Sequence, residues 1–386
     1  MKKNIMFIVP SLTGGGAEKT VANLSKYLSN KFNVYIVALK ETSNKYDYSG
    51  NYICLSNNKK KSFIGKICFT ISCIHKVKKI KKRYNISYSI SFLATADIIN
   101  VLSKNKGTKN YISIRNTDSL YTMNTIYKRF TKISCKLSDH IISISKQVKM
   151  DLINNFKVKE EKISVIYNPA IISNNNKSSD KPIINDNFII NIGRMTNQKG
   201  QWHLIRAFNE VLKKYPDKKL VILGDGELRN YLESLIKDYK IENNVLLPGF
   251  VDNPYQYLIN ADAFVFSSCY EGLGNSILEA LSCQIPVIST DCISGPREIL
   301  NPNSNFLNKV TNKIDYAEYG ILTPVCNGVM YKKDDDLSQE EILLYKAIID
   351  IISNKKMNQH YRKMSKIRSV DFEINKIIKQ WEKLLK

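Results

Sequence analysis

Histidine and tryptophan are scarce in this chain, at four and two residues, and acid is scarce beside base, with 35 Asp and Glu against 58 Lys and Arg. Eight cysteines occur, at 54, 68, 73, 135, 269, 283, 292 and 326, yet no two are spaced C-x-x-C. His75 is too isolated to complete a zinc signature with them. No stretch approaches the roughly 18 apolar residues of a spanning helix. The opening apolar run Ile5 to Val9 is stopped by Pro10, too soon for a secretory leader. These absences predict a cytoplasmic protein with reduced thiols. The dinucleotide fingerprint G-x-G-x-x-G is also missing, because Glu18 and Lys19 follow directly on Gly14-Gly15-Gly16.

What is present is ordinary globular material. Hydrophobic residues make up 43% of 386 residues, enough for two cores. The net charge of +23 predicts attraction to polyanions: nucleic acid, anionic lipid or phosphorylated small molecules. The chain alternates strand and helix signals. A strand at Ile5 to Val9, the triple-glycine loop, a helix from Ala17 to Leu28 and a strand at Asn33 to Leu39 form a β-loop-α-β unit. Strand-like runs follow at 87–92, 111–114 and 140–145. The polar stretch 174–186 reads as a linker. Beyond it come strand 188–192, helix 202–214, strand 219–223, helix 228–237, strands 245–247 and 263–266, helix 276–282 and strand 286–289. A closing amphipathic helix is expected over 372–385. Two such series imply two doubly wound α/β domains facing a central cleft, divided as 1–173, 187–365 and a C-terminal helical segment, 366–386, returning toward the first domain.

Three segments have the makings of an anion site. Gly14-Gly15-Gly16 sits between strand and helix, where glycines admit close backbone approach and the helix start offers free N–H groups; a tight turn would explain it equally. Gly193-Arg194 with Lys199-Gly200 places two cations in a short loop after a strand, suited to a diphosphate or to a solvated basic loop. Glu271-Gly272-Leu273-Gly274-Asn275-Ser276-Ile277-Leu278-Glu279 puts one glutamate in a loop and the second about a turn into the next helix, with glycine amides between. The second glutamate is placed to accept from ribose hydroxyls. Asp334-Asp335-Asp336 has no strand to set it in a cleft, and His203 reads as a packed helix residue.

Residues 59–83 carry ten Lys and Arg, no acid, and interleaved Phe63, Ile64, Ile67, Phe69, Ile71 and Ile74. A solvated helix face, a nucleic-acid patch and an interfacial helix on anionic lipid all fit. The mixture of apolar residues with lysine favours the last, since nucleic acid would want more stacking aromatics.

The order Gly193-Arg194, Lys199-Gly200, Leu223-Gly224-Asp225-Gly226, Gly249-Phe250, Glu271 to Glu279 and Ile285-Pro286-Val287-Ile288-Ser289 resembles glycosyltransferase family 4. The run Thr290-Asp291-Cys292-Ile293-Ser294-Gly295-Pro296-Arg297-Glu298 is similar to bacterial members that build O-antigen, capsule or lipid-linked oligosaccharide. The resemblance implies a GT-B fold of two Rossmann-like domains, acceptor mostly on the first and donor on the second. It implies a retaining, metal-independent transferase that moves a hexose or N-acetylhexosamine from a nucleotide sugar, with UDP the expected nucleotide. The acceptor would be a lipid-linked glycan in surface polysaccharide synthesis. By the same analogy Arg194 and Lys199 hold the donor diphosphate, Glu279 the ribose and Glu271 the transferred sugar. The amides of Gly272, Leu273 and Gly274 lie near sugar and phosphate, Gly249-Phe250 near the base, and Gly15 and Gly16 near the phosphate from the opposite domain. With the basic stretch, this predicts a peripheral protein on the inner face of the cell membrane that does not bind nucleic acid. Two departures stand out. Arg115-Asn116 occupies the loop where the family often has histidine, which suggests that Arg115 faces substrate, and Gln284 replaces a frequent glycine. A sugar-nucleotide epimerase and a basic nucleic-acid-binding protein without catalysis are the rival readings. The first predicts turnover without acceptor, the second salt-sensitive polynucleotide binding.

Overall fold

The computed structural model describes residues 2–42, 45–56, 63–117, 119, 125–170, 184 and 187–386. Lys59, Lys60, Lys61 and, apart from Ile184, the expected linker over 174–186 lie outside those residues. The chain divides into two compact units, 1–168 with 375–386, and 169–374.

The first unit runs β1 (Asn4–Val9), α1 (Gly16–Leu28), β2 (Asn33–Ala38), β3 (Asn51–Cys54), α2 (Phe63–Arg83), β4 (Tyr88–Phe92), α3 (Ala94–Leu102), β5 (Lys109–Ile114), α4 (Thr125–Leu137), β6 (His140–Ser143), α5 (Lys146–Phe156) and β7 (Ile163–Val165). Its sheet has the order β3-β2-β1-β4-β5-β6-β7, parallel at every pairing. Strands covered on both faces must be apolar throughout, and Ile5 to Val9 are fully buried accordingly. Helix α2 packs on α3 and α3 on α4, so these three share one face of the sheet. The sequence reading passed over α3, because Ala94 to Leu102 is short and apolar almost all round, with no 3.6-residue contrast to reveal it.

The basic stretch forms α2, but not as a uniform row of surface cations. Lys81 is fully buried. Its ammonium donates to Asn100 O and Oδ1, both at 2.8 Å, Ser103 Oγ at 3.0 Å and Asn110 Oδ1 at 2.6 Å. It therefore belongs to the interior, and the expectation that it faces a membrane is corrected. Three acceptor residues make the burial of a cation tolerable, while Lys78, Lys79 and Lys82 remain exposed.

The second unit runs β8 (Phe188–Ile192), α6 (Gln201–Leu212), β9 (Lys219–Leu223), α7 (Arg229–Tyr239), β10 (Val245–Gly249), α8 (Tyr255–Leu258), β11 (Ala263–Phe266), α9 (Asn275–Ser282), β12 (Val287–Thr290), α10 (Pro296–Leu300), β13 (Asp315–Tyr316), β14 (Ile321–Thr323), α11 (Gln339–Ser353) and α12 (Lys355–Ser369). The strand order is β10-β9-β8-β11-β12-β14-β13, parallel except for the antiparallel β13–β14 edge pair. Trp202, Leu204, Ile205 and Phe208 of α6 are buried in its core with Leu344, Ala347 and Ile348 of α11. Between these helices lies a buried polar knot. Arg206 Nε donates to Glu341 Oε1 at 2.9 Å, and its other nitrogens donate to the carbonyls of Lys332, Asp335 and Asp336. His203, buried as expected, meets the same Glu341 oxygen at 2.7 Å. Glu341 also closes the capping box of α11 with Ser338.

The last helix, α13 (Ile374–Leu384), is counted with the first unit from Asn375 onward. Trp381 stacks on Phe92 at 6.3 Å and meets Phe7 edge-on at 6.5 Å. Such aromatic contacts add to the area buried, and they explain why the chain returns to the sheet it started.

Candidate active site

In each unit the strand order reverses once, between β1 and β4 and between β8 and β11. Loops leaving neighbouring strands in opposite directions open a crevice at the carboxyl ends. In the second unit the two loops at that point are Gly193–Gly200, after β8, and Ser267–Gly274, after β11. These are the segments singled out by their charged residues and glycines.

The two loops are laced together. Ser267 Oγ donates to Lys199 O at 2.9 Å, Cys269 N to Gln198 O at 2.8 Å, and Gln198 Nε2 to Tyr270 O at 2.9 Å. Gly200 has φ +59°, and a Cβ there would lie 2.6 Å from Ser267 O, so only glycine permits the approach. Across this seam Lys199 Nζ lies 2.5 Å from Glu271 Oε1. The lysine stem lies against Gly193, and its ammonium is 5.4 Å from the centre of the Phe266 ring. Arg194 is exposed at the loop's rim. The neighbouring strand ends join the same rim: Met195 N donates to Asp225 O, and Gly224 N to Gly249 O. Phe250, beside Gly249, is 72% exposed.

Gly272, Leu273 and Gly274 are buried and lead into α9. Glu279 is the fifth residue of that helix and half-buried. Burial, then the charge of Glu279, pushes the Cys283 thiol up to about 12. Burial, then Glu271, pushes Cys269 up to about 11. Burial likewise holds Cys292 well above the usual thiol range, with Glu271 adding to it. At neutral pH these thiols stay protonated, and a thiol is a poor nucleophile. What the site presents to a ligand is positive charge, carboxylates and backbone amides.

In the first unit the loop after β1 carries Gly14 to Gly16. A Cβ on Gly15 would meet the end of the Glu18 side chain, which can swing aside. Arg115, at the end of β5, donates to Asn168 Oδ1 at 2.6 Å, with Thr20 Oγ1 and Ser113 Oγ both at 3.4 Å, and its guanidinium lies over Phe92. Burial pulls Arg115 down to about 10, and the charge of Glu18 opposes this; the group stays charged at neutral pH. Asn116 is exposed. The sequence reading named Arg115 and Gly15 but missed Glu18, Thr20 and Asn168, which surround Arg115 or Gly15. Thr20 and Asn168 meet Arg115 from 95 and 53 positions away and give no local signal. Gln198 was missed for the same reason.

Among the described residues no group of three or more His, Cys, Asp or Glu is placed to hold a metal ion. In the Asp334–Asp336 run, the carbonyls of Asp335 and Asp336 serve Arg206, and Asp335 Oδ2 accepts from Lys332 N.

Comparison with known proteins decides the family. Residues 14–172 match the family model described as Glycosyltransferase Family 4, and residues 174–322 match Glycosyl transferases group 1. An uncharacterized glycosyltransferase of Methanocaldococcus jannaschii is 39% identical over 320 residues, covering 76% of this chain and 77% of its own length. The chain belongs to glycosyltransferase family 4. Among family 4 relatives, a Campylobacter jejuni enzyme named N-acetylgalactosamine-N,N'-diacetylbacillosaminyl-diphospho-undecaprenol 4-alpha-N-acetylgalactosaminyltransferase is 29% identical over 395 residues and covers both chains completely. The solved structure of Anabaena HepE in complex with UDP superposes with a TM-score of 0.76 at 18% identity, covering 99% of each chain. That likeness gives the fold, which is GT-B.

Proposed function

We propose that this family 4 glycosyltransferase moves a hexose or N-acetylhexosamine from a UDP-sugar to a lipid-linked glycan, retaining the anomeric configuration and using no metal. The observation that carries this reading is the Lys199–Glu271 pair, set where β8 and β11 part and flanked by Arg194 and the 272–274 amides. Preorganised cations and amides stabilise a departing diphosphate as a metal would elsewhere. Arg194 and Lys199 take the diphosphate, Glu279 the ribose, Glu271 the sugar, and Gly249-Phe250 the base. Gly15, Gly16, Arg115 and Asn116 belong to the first unit's contribution, with Arg115 facing acceptor or sugar. The activity in the name of the Campylobacter relative makes UDP-N-acetylgalactosamine the first donor to try and an undecaprenyl-diphosphate-linked glycan the first acceptor.

The reading includes attachment to the inner, anionic face of the cell membrane. Helix α2 exposes Ile67 and Ile71 beside Lys78, Lys79 and Lys82. Helix α4, on the same face, buries Thr131, Ser134 and Cys135 and exposes Tyr127, Phe130 and Ile133 with Arg129, Lys132 and Lys136. Neither helix contains an acidic residue. Apolar side chains interleaved with cations suit an anionic bilayer surface. No helix among the described residues is long and apolar enough to cross a membrane.

The test is a metal-free thermal-shift titration against UDP, GDP, ADP and CMP. A ligand at a hundredfold excess over Kd stabilises the folded state by about 2.7 kcal/mol. A shift with UDP that Lys199→Ala abolishes supports the donor site. No shift with any nucleotide in a folded sample overturns it, and salt-sensitive polynucleotide binding would then favour the nucleic-acid reading.

A further inference from the structure

The loop that carries Glu271, laced on one side to Gln198 and Lys199, has a second support on its other side. It borrows its shape from the turn 292–296, which follows β12. Tyr270 forms a parallel bridge with Ile293. Ser294 Oγ donates to Gly272 O at 2.7 Å. A Cβ on Gly295 would overlap the Leu273 carbonyl. Residues 270, 272 and 273 of the glutamate loop thus rest on residues 293, 294 and 295 of the turn, and Glu271 N itself reaches Ile293 O at 3.4 Å.

The turn is strained where it makes these contacts. Ser294 has φ +72° and Gly295 φ +99°. A serine held in the left-handed region persists only when its surroundings force it there, and such residues gather at functional sites. What forces it is a buried brace at the two ends of the turn. Asp291, fully buried, accepts from Arg297 Nε at 3.0 Å and Nη2 at 2.6 Å, and from Val310 N at 2.8 Å. Arg297, also buried, pairs in addition with Asp315 at 3.2 Å. The brace joins the two ends of the five-residue turn 292–296, whose middle reaches Gly272.

We infer that Ser294 is a positioning residue: its hydroxyl, presented by the Asp291–Arg297 brace, fixes the peptide planes of 271–274 and so sets where the Glu271 carboxylate and the neighbouring amides meet the transferred sugar. This rests on the reading of 271–274 as a donor loop. Core packing alone does not call for a serine hydroxyl on Gly272 O at a backbone angle that serine disfavours. Glu279 and Arg194 lie outside the clamp, so the ribose contact and the Arg194 contact to diphosphate survive when it is loosened, and the larger loss falls on turnover. Misplacing a reacting group by about 1 Å costs on the order of a hundredfold in rate.

The experiment measures kcat and KM for UDP-N-acetylgalactosamine, the Kd of UDP, and Tm in Ser294→Ala, Ser294→Gly and Ser294→Asn. Glycine relaxes the strained backbone and lacks the donor. Asparagine tolerates the left-handed angle and brings an amide donor. Expected are kcat losses of roughly ten- to a hundredfold in Ser294→Ala and Ser294→Gly, with UDP Kd near wild type, and substantial recovery of kcat in Ser294→Asn. If Ser294→Ala fails to fold, the glycine and asparagine variants decide. Wild-type kcat in Ser294→Gly overturns the inference. Lys199→Ala is run beside them: its inactivity with an active Ser294→Gly defeats the clamp alone, whereas activity in both defeats the donor site.

Discussion

The Lys81 ammonium donates to Asn110 Oδ1 at 2.6 Å, from a helix whose neighbouring lysines face solvent. Burial pulls it down to about 7. The group is neutral in the folded chain and protonated in the unfolded chain between about pH 7 and the ordinary lysine range near 10.4. There the unfolded state binds more protons, so this residue makes stability rise with pH. In Lys81→Met the rise disappears and the orphaned oxygens cost about 1–3 kcal/mol. Urea unfolding at about pH 6.5, 8 and 9.5 checks both, and the gap between wild type and variant should widen as pH rises.

Lys199 and Glu271 give a prediction on turnover. Lys199→Ala and Glu271→Gln should each lower kcat on the order of a hundredfold or more, as removal of one preorganised charge does, while the chain remains folded. Activity should survive EDTA. Loss of turnover on chelation, restored by Mg²⁺ or Mn²⁺, would show that the two cations do not suffice for the diphosphate.

The proposed membrane face makes separate demands on its two kinds of residue. Phe130→Ser with Ile133→Ser should weaken cosedimentation with phosphatidylglycerol vesicles at any salt. Replacing Lys78, Lys79 and Lys82 by glutamine should weaken it most at low salt, by about 1 kcal/mol per charge near the surface. Lys81 is left out of that set because it never reaches the surface. Unchanged binding in both variants would remove this face from the membrane.

Glu341 serves the cap of α11, Arg206 and His203 at once. Burial pushes its carboxyl up, but hydrogen bonds from His203, the Ser338 amide and Arg206 outweigh this and hold it below the usual range. Glu341→Gln strands a buried guanidinium, and the cost should be about 3–5 kcal/mol, read as a lower denaturation midpoint of the second unit. UDP binding measured well below that midpoint should persist.

Much of this was legible in order along the chain. Strands such as Phe188–Ile192 and Lys219–Leu223 are bare apolar runs between turn residues, and parallel burial makes them so. Lys199 and Glu271 stood out because charge and glycine together after a strand are uncommon. Ser294 and Asp291 fell inside a motif yet showed no role, since their meaning lies in a positive φ and a 2.7 Å contact with a residue 22 positions away. Lys81 misled for a related reason: one lysine in a basic helix looks like its neighbours until the oxygens of Asn100, Ser103 and Asn110 are seen around it.

The stacking of Trp381 on Phe92 also has a consequence in time. Residues 169–374 leave the ribosome before residues 375–386 do. The first unit is thus completed only after the whole of the second unit has been made. Until then Phe7 and Phe92 lack their indole partner, and that part of the sheet's apolar surface stays uncovered.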